Sequence, residues 1–278
     1  CGYLGYDNLG DELMAQAISS SVFARDKSAR VVFFAPKGKK YENFDCINRH
    51  SPLQILKSIK KCDVFILGGG TLISEETSKR SALYYTAMLT LAGIMKKRRM
   101  IWSGGIDRIK SKFLKFILKR QLKSVKISLR DTPSLDALWQ ILPCPSAQIH
   151  SDPVFLLVDS YIRAPITKRS PKYVVVCLKN DAPKDLAIMI GELCRKYSLT
   201  AVFAATTPKD MPVCETQSAL INGKAMLLSD IEGAKSLFES AALCLSMRYH
   251  AILLAACFGC VPVCMSPSEK VLALMREM

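Results

Sequence analysis

Short apolar runs alternate along the chain with longer stretches whose apolar residues recur every three or four positions. The short runs predict strands at residues 31–35, 62–67, 100–103 and 125–129. Helical spacing predicts helices at 11–24, 52–60, 81–97 and 111–123. The run at 62–67 is almost continuously apolar, as befits a strand covered on both faces. Strands separated by helices imply a parallel sheet with crossover helices.

The alternation breaks at 159–171, where Pro165, Thr167, Lys168, Arg169, Ser170 and Pro171 make a polar, proline-bounded connector. It then restarts, with strands predicted at 173–178, 200–205, 243–246 and 261–265, and helices at 185–197, 231–241 and 249–258. The expected fold is therefore α/β: two Rossmann-like domains with parallel sheets, at 1–164 and 172–278. Cys1 runs straight into a glycine-rich turn of the kind that follows a strand, so a leading strand is expected ahead of it.

Composition narrows the class. A chain of 278 residues that is half hydrophobic has enough apolar side chains for two cores. The uncharged run from Ala251 to Met265 is too short to span a bilayer and contains Gly259 and Pro262. Eleven cysteines are scattered, several of them inside apolar runs, which suits buried thiols in a reducing, cytoplasmic compartment. Cys257 and Cys260 form one CxxC, but a zinc site wants a second pair or nearby histidines, so no metal is expected.

The formal charge of +15 fits an enzyme for anionic substrates, a protein at an anionic membrane, or a nucleic-acid binder. The basic residues are not interleaved with aromatics as a base-stacking platform requires, which argues against nucleic acid. The densest basic run, from Arg108 to Lys126, carries Phe113, Phe116, Ile117 and Leu122 at helical spacing. It reads either as a solvated helix face or as an amphipathic helix drawn to anionic lipid.

Candidate chemistry gathers at the predicted strand ends. Gly68, Gly69 and Gly70 follow the apolar strand and allow close backbone approach by a ligand, although a tight turn alone would also demand them. Arg130 ends another strand, placed to grip a carboxylate or phosphate bidentately; the plain alternative is a surface pair with Asp131. Asp152 precedes Pro153 and either orients a sugar hydroxyl or holds that turn. Gly2, Gly5 and Gly10 lead into a helix start whose N–H groups suit an anion, but the spacing matches neither a dinucleotide fingerprint nor a Walker loop. The richest segment is Ser246-Met247-Arg248-Tyr249-His250. Arg248 and His250 alternate at a strand end, and His250 is the best placed of three histidines for acid–base work.

In order, these pieces resemble the polysaccharide pyruvyl transferase family. The matching residues are Gly5 through Asn8 with Gly10, Asp11 and Glu12; Gly68 to Gly70 with Leu72; Ser128 to Asp131 with Ser134 and Leu138; Asp152, Pro153 and Phe155; and Ser246, Arg248, His250, Ala255, Gly259, Pro262 and Lys270. At Trp102 to Arg108 the sequence departs from the glycine–isoleucine–glycine–proline turn usual in the family. The resemblance implies an architecture similar to the B-type glycosyltransferases, with a cleft between the two halves.

It also implies transfer of a pyruvyl group from phosphoenolpyruvate to a sugar or lipid-linked saccharide as a cyclic ketal, with no cofactor. His250, Arg248 and Asp152 would then be catalytic, while Arg130, Asn8, Gly68, Gly69, Gly70, Ser246 and Lys270 would bind substrate. The other readings are a nucleotide-sugar glycosyltransferase or epimerase on the same architecture, and a non-catalytic binding relative.

Overall fold

In the computed structural model, which describes residues 1–76, 78–143, 146–162, 172–183, 185–266 and 268–277, the alternation becomes three sheets whose strand pairs all run parallel. The chain divides into two compact units: Cys1–Tyr6 with Met14–Leu157, and Asp7–Leu13 with Val158–Met278. This grouping differs from the expected 1–164 and 172–278. Residues Asp7–Leu13 and the segment from Val158 onward go with the second unit, and the connector at 163–171 lies outside the described residues.

The first unit contains most of α1 (Leu9–Arg25), β1 (Val32–Ala35), β2 (Asp45–Asn48), α2 (Pro52–Lys61), β3 (Val64–Gly68), β4 (Thr71–Ile73), α3 (Lys79–Ile94), β5 (Arg98–Ile106), α4 (Lys112–Leu122), β6 (Lys126–Leu129), α5 (Thr132–Trp139), β7 (Gln148–Ile149) and the start of α6 (Val154–Asp159). Strands β3, β5, β6 and β7 form one sheet in that order, β4 adds to β5, and β1 with β2 forms a separate pair. Apolar side chains from β3, β5 and β6 meet those of α2 to α5: Ile59, Leu67, Tyr85, Leu89, Leu118, Leu129 and Leu138 are all at most 1% exposed.

Sequence periodicity gives the centres of these elements better than their ends. Strand β5 runs to Ile106, through the stretch expected to be a turn, because the Gly105 N–H donates to the Gly70 carbonyl and β4 pairs alongside. Helix α4 turns Leu114, Leu118 and Leu122 inward at i, i+4 and i+8 spacing. Phe113 and Phe116 therefore point outward, each 67% exposed.

The second unit contains β8 (Tyr173–Cys177), α7 (Leu186–Lys196), β9 (Thr200–Ala205), a 3₁₀ turn (Pro208–Asp210), α8 (Met211–Ala219), β10 (Lys224–Leu227), α9 (Ile231–Glu239), β11 (Ala241–Ser246), α10 (Tyr249–Cys257), β12 (Val261–Cys264) and α11 (Glu269–Glu277). The sheet order β10-β9-β8-β11-β12 is that of a doubly wound fold. Its order reverses between β8 and β11, and in open parallel sheets the crevice at the carboxyl ends of such a strand pair is where ligands bind. Helix α10 is apolar all round, with Ala251 to Ala255 completely buried, so it is a core helix that fixes the loop before it.

Candidate active site

The loop between β11 and α10 carries the Ser-x-Arg-x-His segment. Ser246 is fully buried at the end of β11. Its hydroxyl accepts from the Arg248 N–H at 2.9 Å and donates to the Arg248 carbonyl at 3.1 Å. The Met247 N–H donates to the Cys177 carbonyl of β8, so the ladder continues one residue past β11. These bonds hold Arg248 extended, with φ −108°, and the chain enters α10 at Tyr249.

Arg248 reaches across the strand ends to the 3₁₀ turn after β9. Its Nη2 donates to Oδ1 of Asp210 at 2.5 Å. Asp210 is wholly buried, whereas the Arg248 side chain keeps a quarter of its surface exposed. The pairing is end-on: the buried Nε of Arg248 and Oδ2 of Asp210 have no hydrogen-bond partner. A guanidinium held at one nitrogen, with a quarter of its side-chain surface exposed, is suited to receive an anion.

His250 is the second residue of α10, half-buried, its ring edge-on to Tyr249 at 5.1 Å. It packs against α1 at Gly10, where an added Cβ would stand 1.9 Å from Nδ1. Two bonds fix this first turn of α1: the Leu9 N–H donates to the Thr206 carbonyl at the end of β9, and Asn8 Oδ1 accepts from the Gly10 N–H at 3.2 Å. Asn8, Gly10, Ser246, Arg248 and His250 thus belong to one cluster in the second unit. Lys270 lies in the first turn of α11, which packs on α10 and β12. Asp210 was missed in the sequence reading; Thr206-Thr207-Pro208 after an apolar strand was the available signal, the same strand-end logic that singled out Arg248.

The first unit holds the other candidates. Arg130 follows β6 and is 4% exposed. Its Nε donates to Asp131 at 3.2 Å, its Nη2 donates to Thr71 Oγ1 at 3.2 Å, and its Nη1 lies 3.7 Å from Asp152. The Arg130–Asp131 pair is therefore buried, not at the surface. Asp131 also caps α5 through the Ser134 N–H at 2.8 Å, and Asp152, 2% exposed, accepts from the Val154 N–H. Of the two readings offered for Asp152, this bond to Val154 is the one that holds the turn; the sugar-hydroxyl reading stays a proposal.

The glycine run turns with positive φ at Gly69 (84°) and Gly70 (67°), which favours glycine. A Cβ on Gly68 would stand 2.8 Å from Ile18 Cδ1, the far end of a flexible side chain of α1 that can shift aside.

Among the described residues no group of three or more His, Cys, Asp or Glu side chains is gathered that could hold a metal. Cys260 of the CxxC is buried, and its thiol is pushed up to about 12 by burial. No helix among the described residues is long and apolar enough to cross a membrane.

The family model described as polysaccharide pyruvyl transferase matches residues 8–269. Among curated protein sequences there is no significant match. Among solved structures, the chain is similar to the UDP-GlcNAc 2-epimerase from Neisseria meningitidis bound to UDP-GlcNAc, with 12% identity and TM-score 0.63 over 95% of this chain and 83% of that one. It is also similar to the S. aureus MnaA–UDP co-structure, with 12% identity and TM-score 0.57 over 97% and 85%. A glycosyltransferase from Rickettsia africae gives 10% identity and TM-score 0.56 over 96% and 83%. At such identities the likeness is one of fold: an α/β architecture shared with epimerases and glycosyltransferases.

Proposed function

This chain belongs to the polysaccharide pyruvyl transferase family, hence to the transferases, and we propose that it moves a pyruvyl group from phosphoenolpyruvate onto two hydroxyls of a saccharide acceptor. The observation that carries the reading is the Arg248–His250 pair beside buried Asp210 at the strand ends of the second unit. Phosphoenolpyruvate brings a carboxylate and a phosphate, and the partly exposed guanidinium of Arg248 suits either.

Two hydroxyls add to the enol carbon C2, a proton adds to the methylene carbon, and phosphate leaves, carrying away the second hydroxyl's proton. In our reading the imidazolium of His250 delivers that proton to the methylene. The neutral ring then accepts a proton from an attacking sugar hydroxyl. Arg248 offsets the charge that builds on the departing phosphate. We also propose a catalytic part for Asp152 and substrate contacts for Arg130, Asn8, Gly68, Gly69, Gly70, Ser246 and Lys270, a reading that rests on the sequence resemblance.

The test is single-turnover phosphate release from phosphoenolpyruvate, with acceptor, by wild type and His250→Gln. The variant keeps a hydrogen-bonding side chain but cannot exchange a proton near neutrality. It should bind phosphoenolpyruvate and release almost no phosphate. Stabilisation of the wild type by UDP-GlcNAc and not by phosphoenolpyruvate would favour the nucleotide-sugar reading instead.

One further observation favours contact with an anionic membrane surface. Helix α4 has no acidic residue, and its solvent side combines Lys112, Lys119, Arg120 and Lys123 with Phe113 and Phe116. Cations that attract lipid headgroups beside aromatics that can insert are the two components of interfacial binding. Such a contact would suit a lipid-linked acceptor.

A further inference from the structure

Arg49 is 6% exposed at the carboxyl end of β2, yet among the described residues no carboxylate pairs with it. Its guanidinium carbon lies 4.9 Å from the ring centroid of Tyr84, 5.4 Å from that of Tyr6, 5.9 Å from that of Tyr85 and 6.0 Å from that of Tyr3. Nη2 donates to the Tyr85 hydroxyl at 3.2 Å, while buried Nη1 has no hydrogen-bond partner. The backbone is fixed as well: the Arg49 N–H donates to the Ala35 carbonyl and the Tyr84 hydroxyl donates to the Arg49 carbonyl.

Aromatic faces recover part of the hydration that a buried cation loses, but not all of it, and an unused N–H adds to the cost. The missing complement is an anionic oxygen. Tyr3 and Tyr6 stack at 4.3 Å, and with Tyr84 they remain half-exposed, so the cage has a wall toward solvent. Aromatic planes and phenolic hydroxyls suit the C–H face and the hydroxyls of a pyranose. Phosphoenolpyruvate is assigned above to Arg248, which leaves this cage for a different anion.

We propose that Arg49 and its tyrosine cage bind the anionic group, phosphate or carboxylate, of a charged sugar in the acceptor. This deepens the transferase reading above and rests on it for the word acceptor. The site would have to open by movement of a half-exposed tyrosine, which the test also reads.

Isothermal titration of the full chain uses glucose 1-phosphate, glucuronate, glucose and phosphoenolpyruvate as probes. The wild type, Arg49→Met, Arg49→Lys and Arg248→Lys are compared. One of the two anionic sugars should bind the wild type at least tenfold more tightly than glucose, with a change in tyrosine fluorescence. Which one binds distinguishes a sugar phosphate from a uronate. Arg49→Met should weaken that sugar tenfold or more and Arg49→Lys at least threefold, while both keep wild-type affinity for phosphoenolpyruvate; Arg248→Lys should leave the sugar bound.

The proposal is overturned if the wild type does not distinguish anionic from neutral sugar. It is equally overturned if either folded Arg49 variant binds the anionic sugar as tightly as wild type. Failure of the wild type to bind phosphoenolpyruvate would count against the donor reading alone.

Discussion

The ring of His250 lies directly on the α-carbon of Gly10, leaving no room for even a methyl group between them. Glycine in the first turn of α1 is thus explained by a side chain from the far end of the sequence. In an unobstructed helix, replacing glycine with alanine stabilises by about 0.5–1 kcal/mol. Here the sign should reverse. Gly10→Ala must displace the imidazole, and overpacking of this kind costs roughly 1–3 kcal/mol. We expect a lower urea midpoint and a loss of turnover of tenfold or more. A variant as stable and active as wild type would show that the ring moves aside freely.

Asp210 fixes the direction of Arg248, so its replacement should act on the donor. Asp210→Asn keeps the shape but removes the charge beside Nη2. Because the arginine keeps a quarter of its side-chain surface exposed, water can compensate in part, and the expected stability loss is about 1–2 kcal/mol. The requirement for phosphoenolpyruvate should rise at least fivefold. In a double-mutant cycle with Arg248→Lys the two effects should not add, since both residues belong to one pair. Additive losses would separate their roles.

The same unit shows how far sequence carried. Strand β11, the Ser-x-Arg-x-His loop and α10 are contiguous, and a strand-end rule finds them. Asp210 joins the cluster through a 3₁₀ turn after β9; the strand-end signal at Thr206-Thr207-Pro208 lies beside it, but its pairing with Arg248 is a tertiary relationship across 38 positions. Strand β10 is four residues with no β-branched side chain, and β7 is only two residues, so β10 lacks the composition and β7 the length that mark a strand. Helix α8 is hard to read in the sequence because its apolar residues mark no single face. Arg49 escaped for a different reason. Its partners come from the amino-terminal loop and from α3, and only the folded chain brings four tyrosines around one cation.

Arg130 provides a test of structure against binding. With Asp131, Thr71 and Asp152 around it, the guanidinium neutralises buried carboxylates. Arg130→Met would strand them, and breaking a buried pair from one side costs roughly 3–5 kcal/mol. Chemical denaturation should therefore show a large loss of stability. A variant of normal stability with a raised phosphoenolpyruvate requirement would instead assign Arg130 to the donor.

The buried thiols make stability depend on alkaline pH. Burial is the main cause that pushes Cys214 and Cys260 up to about 12, from an ordinary value near 9. Their neutral forms are favoured in the folded chain, so their contribution is fully present below pH 9. Above that, the unfolded chain loses thiol protons first, and the contribution fades as pH rises toward 12. At pH 10.5 the loss should be roughly 1–2 kcal/mol per thiol, read as a falling urea midpoint between pH 8.5 and 10.5. Cys214→Ser and Cys260→Ser should flatten that fall. An unchanged slope in both would place the alkaline sensitivity elsewhere.

The outward face of α4 gives the last prediction. Leu114, Leu118 and Leu122 anchor the helix, so Phe113 and Phe116 can be altered without opening the core. Phe113→Ser with Phe116→Ser should change stability by less than about 1 kcal/mol, as exposed substitutions generally do. If the face meets a bilayer, two contributions should separate in co-sedimentation with vesicles. The lysines attract anionic headgroups over a Debye length of about 8–10 Å at 0.1–0.15 M salt, so binding should fade as salt rises. The phenylalanines act only after contact, through apolar burial that salt does not screen. The double serine variant should therefore bind less tightly at every salt concentration yet keep the wild-type salt dependence. Lys112→Gln with Lys119→Gln should instead flatten that dependence. Vesicles of neutral lipid should recruit neither form strongly. If the wild type ignores anionic vesicles at low salt, α4 is a solvated face and its phenylalanines serve another purpose.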